Sequence, residues 1–334
     1  MTVPGVPRAV LVAPDAFKGT FASAEAAAAV GRGLEAAGRP VDLCPIADGG
    51  EGTLAVLVAA LGAELQQVSV HDPLDRSIEA EFGLIAQGRG GATAIVEAAR
   101  ASGLELVAPS QRDPVAATTR GTGELIVAAI AAGAETVVVG AGGTATTDGG
   151  SGAIQAIRAA GGLGPARLTV LCDVQTRFED AARVFAPQKG ADSAQVRRLT
   201  SRLGAVARRL EHDPRGIPMT GSAGGLAGGL WGAFGAELRP GAAAVLEALG
   251  FDERMRAARA VVAGEGRLDR QSLAGKALSE VATRARQAGV PCHAIVGSRT
   301  LDQFEARILD LQVVLEASTL EELEGAGRQL ANLL

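Results

Sequence analysis

The chain is 334 residues long, with 47% hydrophobic and 21% charged residues and a formal net charge of −5. That length exceeds what one hydrophobic core usually covers, so two domains, or one domain with a large insertion, are expected. The mixed charge gives no basic stripe, and with no Tyr, one Trp and eight Phe there is little for nucleobases to stack on, which excludes nucleic acid from the expected partners.

Gly and charged residues interrupt every apolar run short of the roughly 18 residues a membrane span needs, so no membrane partner is expected and the protein should be soluble. The opening MTVPGVPRAVLVAPDAF has no cationic segment ahead of a long apolar core, and nothing in it suggests export. Cys44, Cys172 and Cys292 lie far apart in apolar runs without metal-site spacing, and read as buried free thiols in a reducing, cytoplasmic compartment. His71, His212 and His293 sit in unrelated contexts, which disfavours a Ser-His triad or a His-ligated metal. Acid–base chemistry is left to carboxylates.

In chain order, RAVLVAPDAF reads as a buried strand ending in a polar turn, followed by an Ala-rich helix predicted from about Ser23 to Ala37, with Gly38 as its stop. VDLCPIADGGEGT repeats the pattern with a strand, a Gly-rich turn and a helix from Thr53 to Leu61, a βαβα opening that implies a parallel sheet. QQVSVHDPL, SIEAEFGLI and ATAIVEAA read as shorter alternating strands of an antiparallel meander. A helix, the strand TVVVG, the turn GAGGTATTDGGSG, a second helix and the strand LTVLCDV follow. After a polar helical stretch, GSAGGLAGGLWGAFGA places small residues at helical spacing, a pattern of close helix packing. The parallel pattern then returns in ARAVVAGEGRLD, a helix, PCHAIVGS and LQVVLEAS. The predicted architecture is α/β: a doubly wound parallel-sheet domain built from both chain ends (1–65 plus 257–334), with a mixed α/β domain (66–256) inserted into it.

In open parallel sheets, ligands bind beyond the carboxyl ends of the strands. The predicted strands end in PDAFKGT, ADGGEGT, AGEGRLD and VGS, which brings Asp15, Lys18, Asp48, Glu51, Glu265, Arg267 and Asp269 to one rim. Phosphoryl transfer needs a carboxylate for Mg²⁺, positive groups on the migrating phosphate and a carboxylate for the acceptor's proton. Asp48 and Asp269 are candidates for the metal or base roles, Lys18 and Arg267 for phosphate or carboxylate contacts. Helix N-capping is the competing reading for Asp15 and Asp48.

Of 32 basic residues only Lys18, Lys189 and Lys276 are lysines, each beside a glycine, and Lys18 and Lys189 are read as ligand contacts. The turn GAGGTATTDGGSG, with Gly142, Gly143 and Thr144, could cradle an anion on backbone N–H groups, with Asp148 and Asp173 facing the same cleft. Its G-x-G-x-x-A spacing invites a dinucleotide reading, but no acidic residue stands about 20 positions on where that motif requires one. Neither the Walker A motif nor the protein-kinase set is present.

Together PDAFKGT, PIADGGEGT, GTGELI, GAGGTATTDGGSGA, CDV, PQKGA, SAGGLAGG and GEGRLDRQSLAGK resemble the bacterial glycerate kinases of the type I class over nearly the whole chain. The resemblance implies ATP- and Mg²⁺-dependent phosphorylation of D-glycerate, commonly to 2-phosphoglycerate, on a flavodoxin-like domain carrying a large insertion. It implies that Asp15, Lys18, Asp48, Gly49, Gly50, Glu51, Asp173, Lys189, Glu265, Arg267 and Asp269 serve an interdomain cleft, and it leaves room for a homodimer. Where the family typically carries Asn-Pro-Leu and Gly after CDV, this chain has Gln175, Thr176 and Arg177. The alternatives are a nicotinamide-dependent oxidoreductase of small hydroxy acids, which NADH binding would favour, and a non-catalytic small-acid sensor, which glycerate binding without turnover would favour.

Overall fold

A computed structural model describes residues 8–17, 19–88, 91–270, 272–274 and 276–334. Its strands, in chain order, are β1 (Val10–Pro14), β2 (Val41–Leu43), β3 (Glu64–His71), β4 (Ser77–Gly88), β5 (Gly91–Glu97), β6 (Thr136–Ala141), β7 (Arg167–Cys172), β8 (Glu237–Pro240), β9 (Ala260–Leu268), β10 (Cys292–Arg299) and β11 (Val314–Glu316). The chain divides into two compact units, residues 1–48 with 245–334, and residues 49–244.

The first unit carries a five-stranded sheet in the order β11-β10-β9-β1-β2, parallel throughout. Counted within the unit this is 2-1-3-4-5, the flavodoxin-like doubly wound order. Val10, Val12, Val262 and Ile295 bury one sheet face against Ala26, Val30 and Leu34 of the helix Ser23–Ala36 and Leu323 and Leu330 of the helix Leu320–Ala331. The first of these helices starts where Glu25 accepts from the Ala22 N–H (2.8 Å), and ends before Gly38, whose φ of +78° suits glycine. A Cβ on Gly33 would sit 2.0 Å from Glu324 O, so the two helices pack backbone to backbone.

The second unit carries a six-stranded sheet in the order β3-β4-β5-β6-β7-β8, antiparallel from β3 to β5 and parallel from β5 to β8. Phe82, Val96, Leu125, Val137, Val139, Val170, Leu226 and Leu230 form its core. The antiparallel meander and the mixed α/β character follow the sequence pattern. The helix Thr53–Leu61 does not stay with the opening sheet: it packs on β4 and β5, where a Cβ on Gly83 would meet Val58 at 2.7 Å and Leu54 at 3.4 Å. Residues 245–256, expected at the end of the insertion, belong to the first unit, where Arg254 of the helix Phe251–Ala257 pairs with Asp42. Cys44, Cys172 and Cys292 are buried free thiols, and no helix of the described residues is long and apolar enough to cross a membrane.

Candidate active site

From β1 the chain crosses to β2 on one side, while β9, β10 and β11 are laid down on the other, so the carboxyl ends of β1 and β9 form the point where the winding reverses. Helices diverge there and leave a crevice. The Asp15 N–H continues the ladder to Gly264 O (2.8 Å), and the chain after β2 stays registered through Ile46 N–H to Pro14 O (3.0 Å), which delivers Asp15, Asp48 and Glu265 to one rim. A cavity of about 490 Å³ opens on it, lined by Asp15, Phe17, Thr20, Asp48, Glu265, Arg267, Asp269, Lys276, Ser298 and Ser318 among others.

The cavity is strongly acidic at its floor. Asp15, Asp48 and Glu265 are 5%, 2% and 7% exposed, and Glu265 Oε1 is buried without a hydrogen-bond partner among the described residues. Burial pushes the Glu265 carboxyl up to about 7, against the opposing pull of a hydrogen bond from Ser272 and the charge of Lys276, with Asp269 and Asp48 adding to the rise. Ser272 also fixes the turn, accepting from Asp269 N–H (3.1 Å). Arg267 stands at the mouth with its side chain 65% exposed and Nε 3.7 Å from Asp269 Oδ2, a fork able to take an incoming planar anion.

In the second unit, two glycine turns meet through their backbones. A Cβ on Gly142 would lie 2.5 Å from Gly50 Cα, one on Gly140 3.0 Å from Gly49 O, and one on Gly49 2.7 Å from Gly241 Cα. Glu97, at the end of β5, accepts from Gly52 N–H (3.1 Å) and Leu54 N–H (2.9 Å), which fixes the first turn on the helix Thr53–Leu61. Burial raises the Glu97 carboxyl, with those two N–H bonds and Arg100 opposing. The second turn is tied by Ala145 N–H to Ser102 O and Leu104 N–H to Gly143 O, both 2.9 Å.

The structure therefore brings Asp15, Asp48, Glu265, Arg267 and Asp269 together on the first unit's cavity, and Gly49, Gly50, Glu51, Gly142, Gly143 and Thr144 together on the second unit's turns. Asp173 follows β7 in the second unit and is half-buried. Lys18 lies outside the described residues. Asp148 does not offer its carboxylate to a ligand: Oδ2 accepts from Thr119 N–H, Thr119 Oγ1 and Gly152 N–H, and Oδ1 from Gly150 N–H, so it fastens the turn to the helix Ser151–Ala159. Lys189 is 4% exposed and directs its ammonium to Thr146 O (2.5 Å) and Thr144 Oγ1 (3.4 Å), inside the protein. Sequence reasoning missed Lys276, Ser298 and Ser318 as cavity residues, and Glu97 as the brace of the glycine turn. The Gly-Lys pair that singled out Lys18 also marks Lys276. No group of three or more His, Cys, Asp or Glu side chains among the described residues is arranged to hold a metal.

The Glycerate kinase family profile matches residues 10–161 and 159–332. The chain belongs to the glycerate kinase family. Membership makes it a phosphotransferase, and neither an oxidoreductase nor a non-catalytic sensor finds support. It is 37% identical over 326 residues to a glycerate kinase of Halalkalibacterium halodurans, covering 86% of this chain and 85% of that one. It is 35% identical over 330 residues to the glycerate 2-kinase of Escherichia coli, covering 88% and 86%. Its fold matches the crystal structure of a Salmonella typhimurium protein described as a glycerate kinase 2, with a TM-score of 0.81, 32% identity and 98% of both chains covered.

Proposed function

We propose that this glycerate kinase family member transfers the γ-phosphate of ATP to a hydroxyl of D-glycerate, giving 2-phosphoglycerate, in the bacterial cytoplasm. The observation that carries the reading is the acidic cavity at the reversal point of a flavodoxin-like sheet, in a chain whose relatives are named for this reaction. The three buried free thiols support a reducing compartment.

The hydroxyl oxygen attacks the γ-phosphorus as the bond to the leaving ADP oxygen breaks, and the hydroxyl proton passes to a carboxylate. Asp48 is assigned to orient or deprotonate that hydroxyl, and Arg267 to hold the substrate carboxylate in a bidentate fork. Glu265 Oε1, buried without a partner among the described residues, suits a hydrogen bond from the acceptor. The backbone of the glycine turns Gly49–Glu51 and Gly142–Thr144 is assigned to the nucleotide phosphates.

Mg²⁺ binds proteins through one or two carboxylates and completes its shell with substrate phosphates and water, so Asp48 and Asp269, which line one cavity, fit it. Held by Asp48 and Asp269, the ion would supply positive charge against the charge that develops on the transferring phosphate. The reading is tested by measuring ADP release with ATP, Mg²⁺ and varied hydroxy acids. Stimulation by D-glycerate supports it, and a flat response across the acids removes it.

A further inference from the structure

Of the three lysines, Lys189 shows a ligand-binding pattern in sequence and an interior position in the structure. We propose that Lys189 is a positioning residue that holds the phosphate-binding turn Gly142–Gly149 from behind, setting the geometry of the turn without touching substrate. The inference rests on the assignment of that turn to the nucleotide phosphates.

The geometry carries it in three steps. Lys189 is 4% exposed, and its ammonium donates to Thr146 O and Thr144 Oγ1, which are inside the turn itself. The space beside it, lined by Leu104, Arg112, Asp113 and Ala145 among others, is about 10 Å³, room for one water and for no substrate. The same carbonyl is closed from another direction by Gly224, where a Cβ would stand 2.0 Å from Thr146 O, and Gly149 N–H is bonded to Gly224 O (3.1 Å). The turn is thus clamped between the lysine head and the Ser222–Gly225 bend, and the group on the lysine side must donate to the Thr146 carbonyl.

The lysine is also a buried positive charge behind an anion-binding loop. The carboxylates around it are Asp148, Asp173 and, across the small space, Asp113, and Asp148 already accepts four hydrogen bonds from Thr119, Gly150 and Gly152. Burial lowers the ammonium from 10.5 to about 8. That cost is retained in a protein that otherwise uses arginine almost throughout.

The test compares Lys189→Met and Lys189→Arg with the wild-type chain in ATP- and glycerate-varied kinetics, and by hydrogen exchange of the 142–149 segment, which needs no turnover. Lys189→Met is expected to raise KM for ATP about tenfold or more, with KM for glycerate little changed. Amide exchange in the turn should quicken at least tenfold while the helices Arg120–Ala131 and Ser151–Ala159 keep their protection. Lys189→Arg should restore part of the ATP affinity. Unchanged exchange in Lys189→Met, or a loss of protection spread evenly over the second unit, would overturn the proposal. If the wild-type chain fails to phosphorylate glycerate, the functional reading falls, and the exchange result still decides whether Lys189 holds the turn.

Discussion

Replacing Gly142 with alanine puts one methyl group where two glycine turns already touch. The added Cβ would lie 2.5 Å from Gly50 Cα, with Gly50 C and N at 3.5 Å. Carbon atoms rest at about 3.5 Å or more, so the turns must part by about 1 Å. A displacement of about 1 Å in a group that positions a reacting phosphate costs about 10²-fold in rate. Overpacking at such a contact costs about 1–3 kcal/mol of stability, small enough for the variant to remain folded. Gly140→Ala provides an internal scale: its Cβ would stand 3.0 Å from Gly49 O, a clash relieved by a few tenths of an ångström, so a loss of only a few-fold is expected. Gly325→Ala, in the helix Leu320–Ala331 with nothing within 4 Å, is the control and should keep full activity with stability raised by about 0.5–1 kcal/mol. The assay is steady-state kcat/KM for glycerate phosphorylation, with circular dichroism to confirm folding. A folded Gly142→Ala variant with wild-type kcat/KM would show that the contact between the turns is irrelevant to the site, and the reasoning would fail.

Three further outcomes follow from the same geometry. Asp48→Asn and Asp269→Asn should each lose about 10²-fold or more in kcat with the fold intact, and near-normal turnover in either removes that residue from the mechanism. Glu97→Ala leaves the Gly52 and Leu54 N–H groups without their acceptor, so denaturant unfolding should show a loss of about 1–3 kcal/mol; Glu97→Gln, which keeps one acceptor oxygen, should lose less. Burial raises Cys292 and Cys172 from 9.0 to about 12, so each contributes stability that is fully present below pH 9 and is lost as pH rises toward 12. Lys189, lowered from 10.5 to about 8, works in the opposite sense between those two values, because there the unfolded chain binds more protons. The melting temperature should therefore fall above pH 9, and less steeply in Cys292→Ala; an identical slope would refute the assignment.

Much of the cavity was legible because strand ends and polar turns occur together in sequence: PDAFKGT, ADGGEGT and GEGRLD each place a carboxylate one to three residues past an apolar run. What was not legible depends on partners distant in sequence. Asp148 looked like a ligand-facing carboxylate because the Thr119 N–H and hydroxyl that consume it come from a segment almost 30 residues away. A glycine neighbour made Lys189 look accessible, but the turn it enters is more than 40 residues upstream. Glu97 closes a strand that reads as ordinary core, and only the pairing with Gly52 and Leu54 gives it a task. The helix Thr53–Leu61 has the right period for either sheet, and Gly83, which opens space for Val58 and Leu54, decides that it lies on the second.

The most direct measurement is ADP release by the purified chain with Mg²⁺·ATP, with and without D-glycerate, followed by ³¹P NMR of the product. The account predicts glycerate-dependent ADP and a new phosphomonoester resonance coupled to the C2 proton. ADP release that glycerate leaves unchanged, with no phosphomonoester formed, would contradict it.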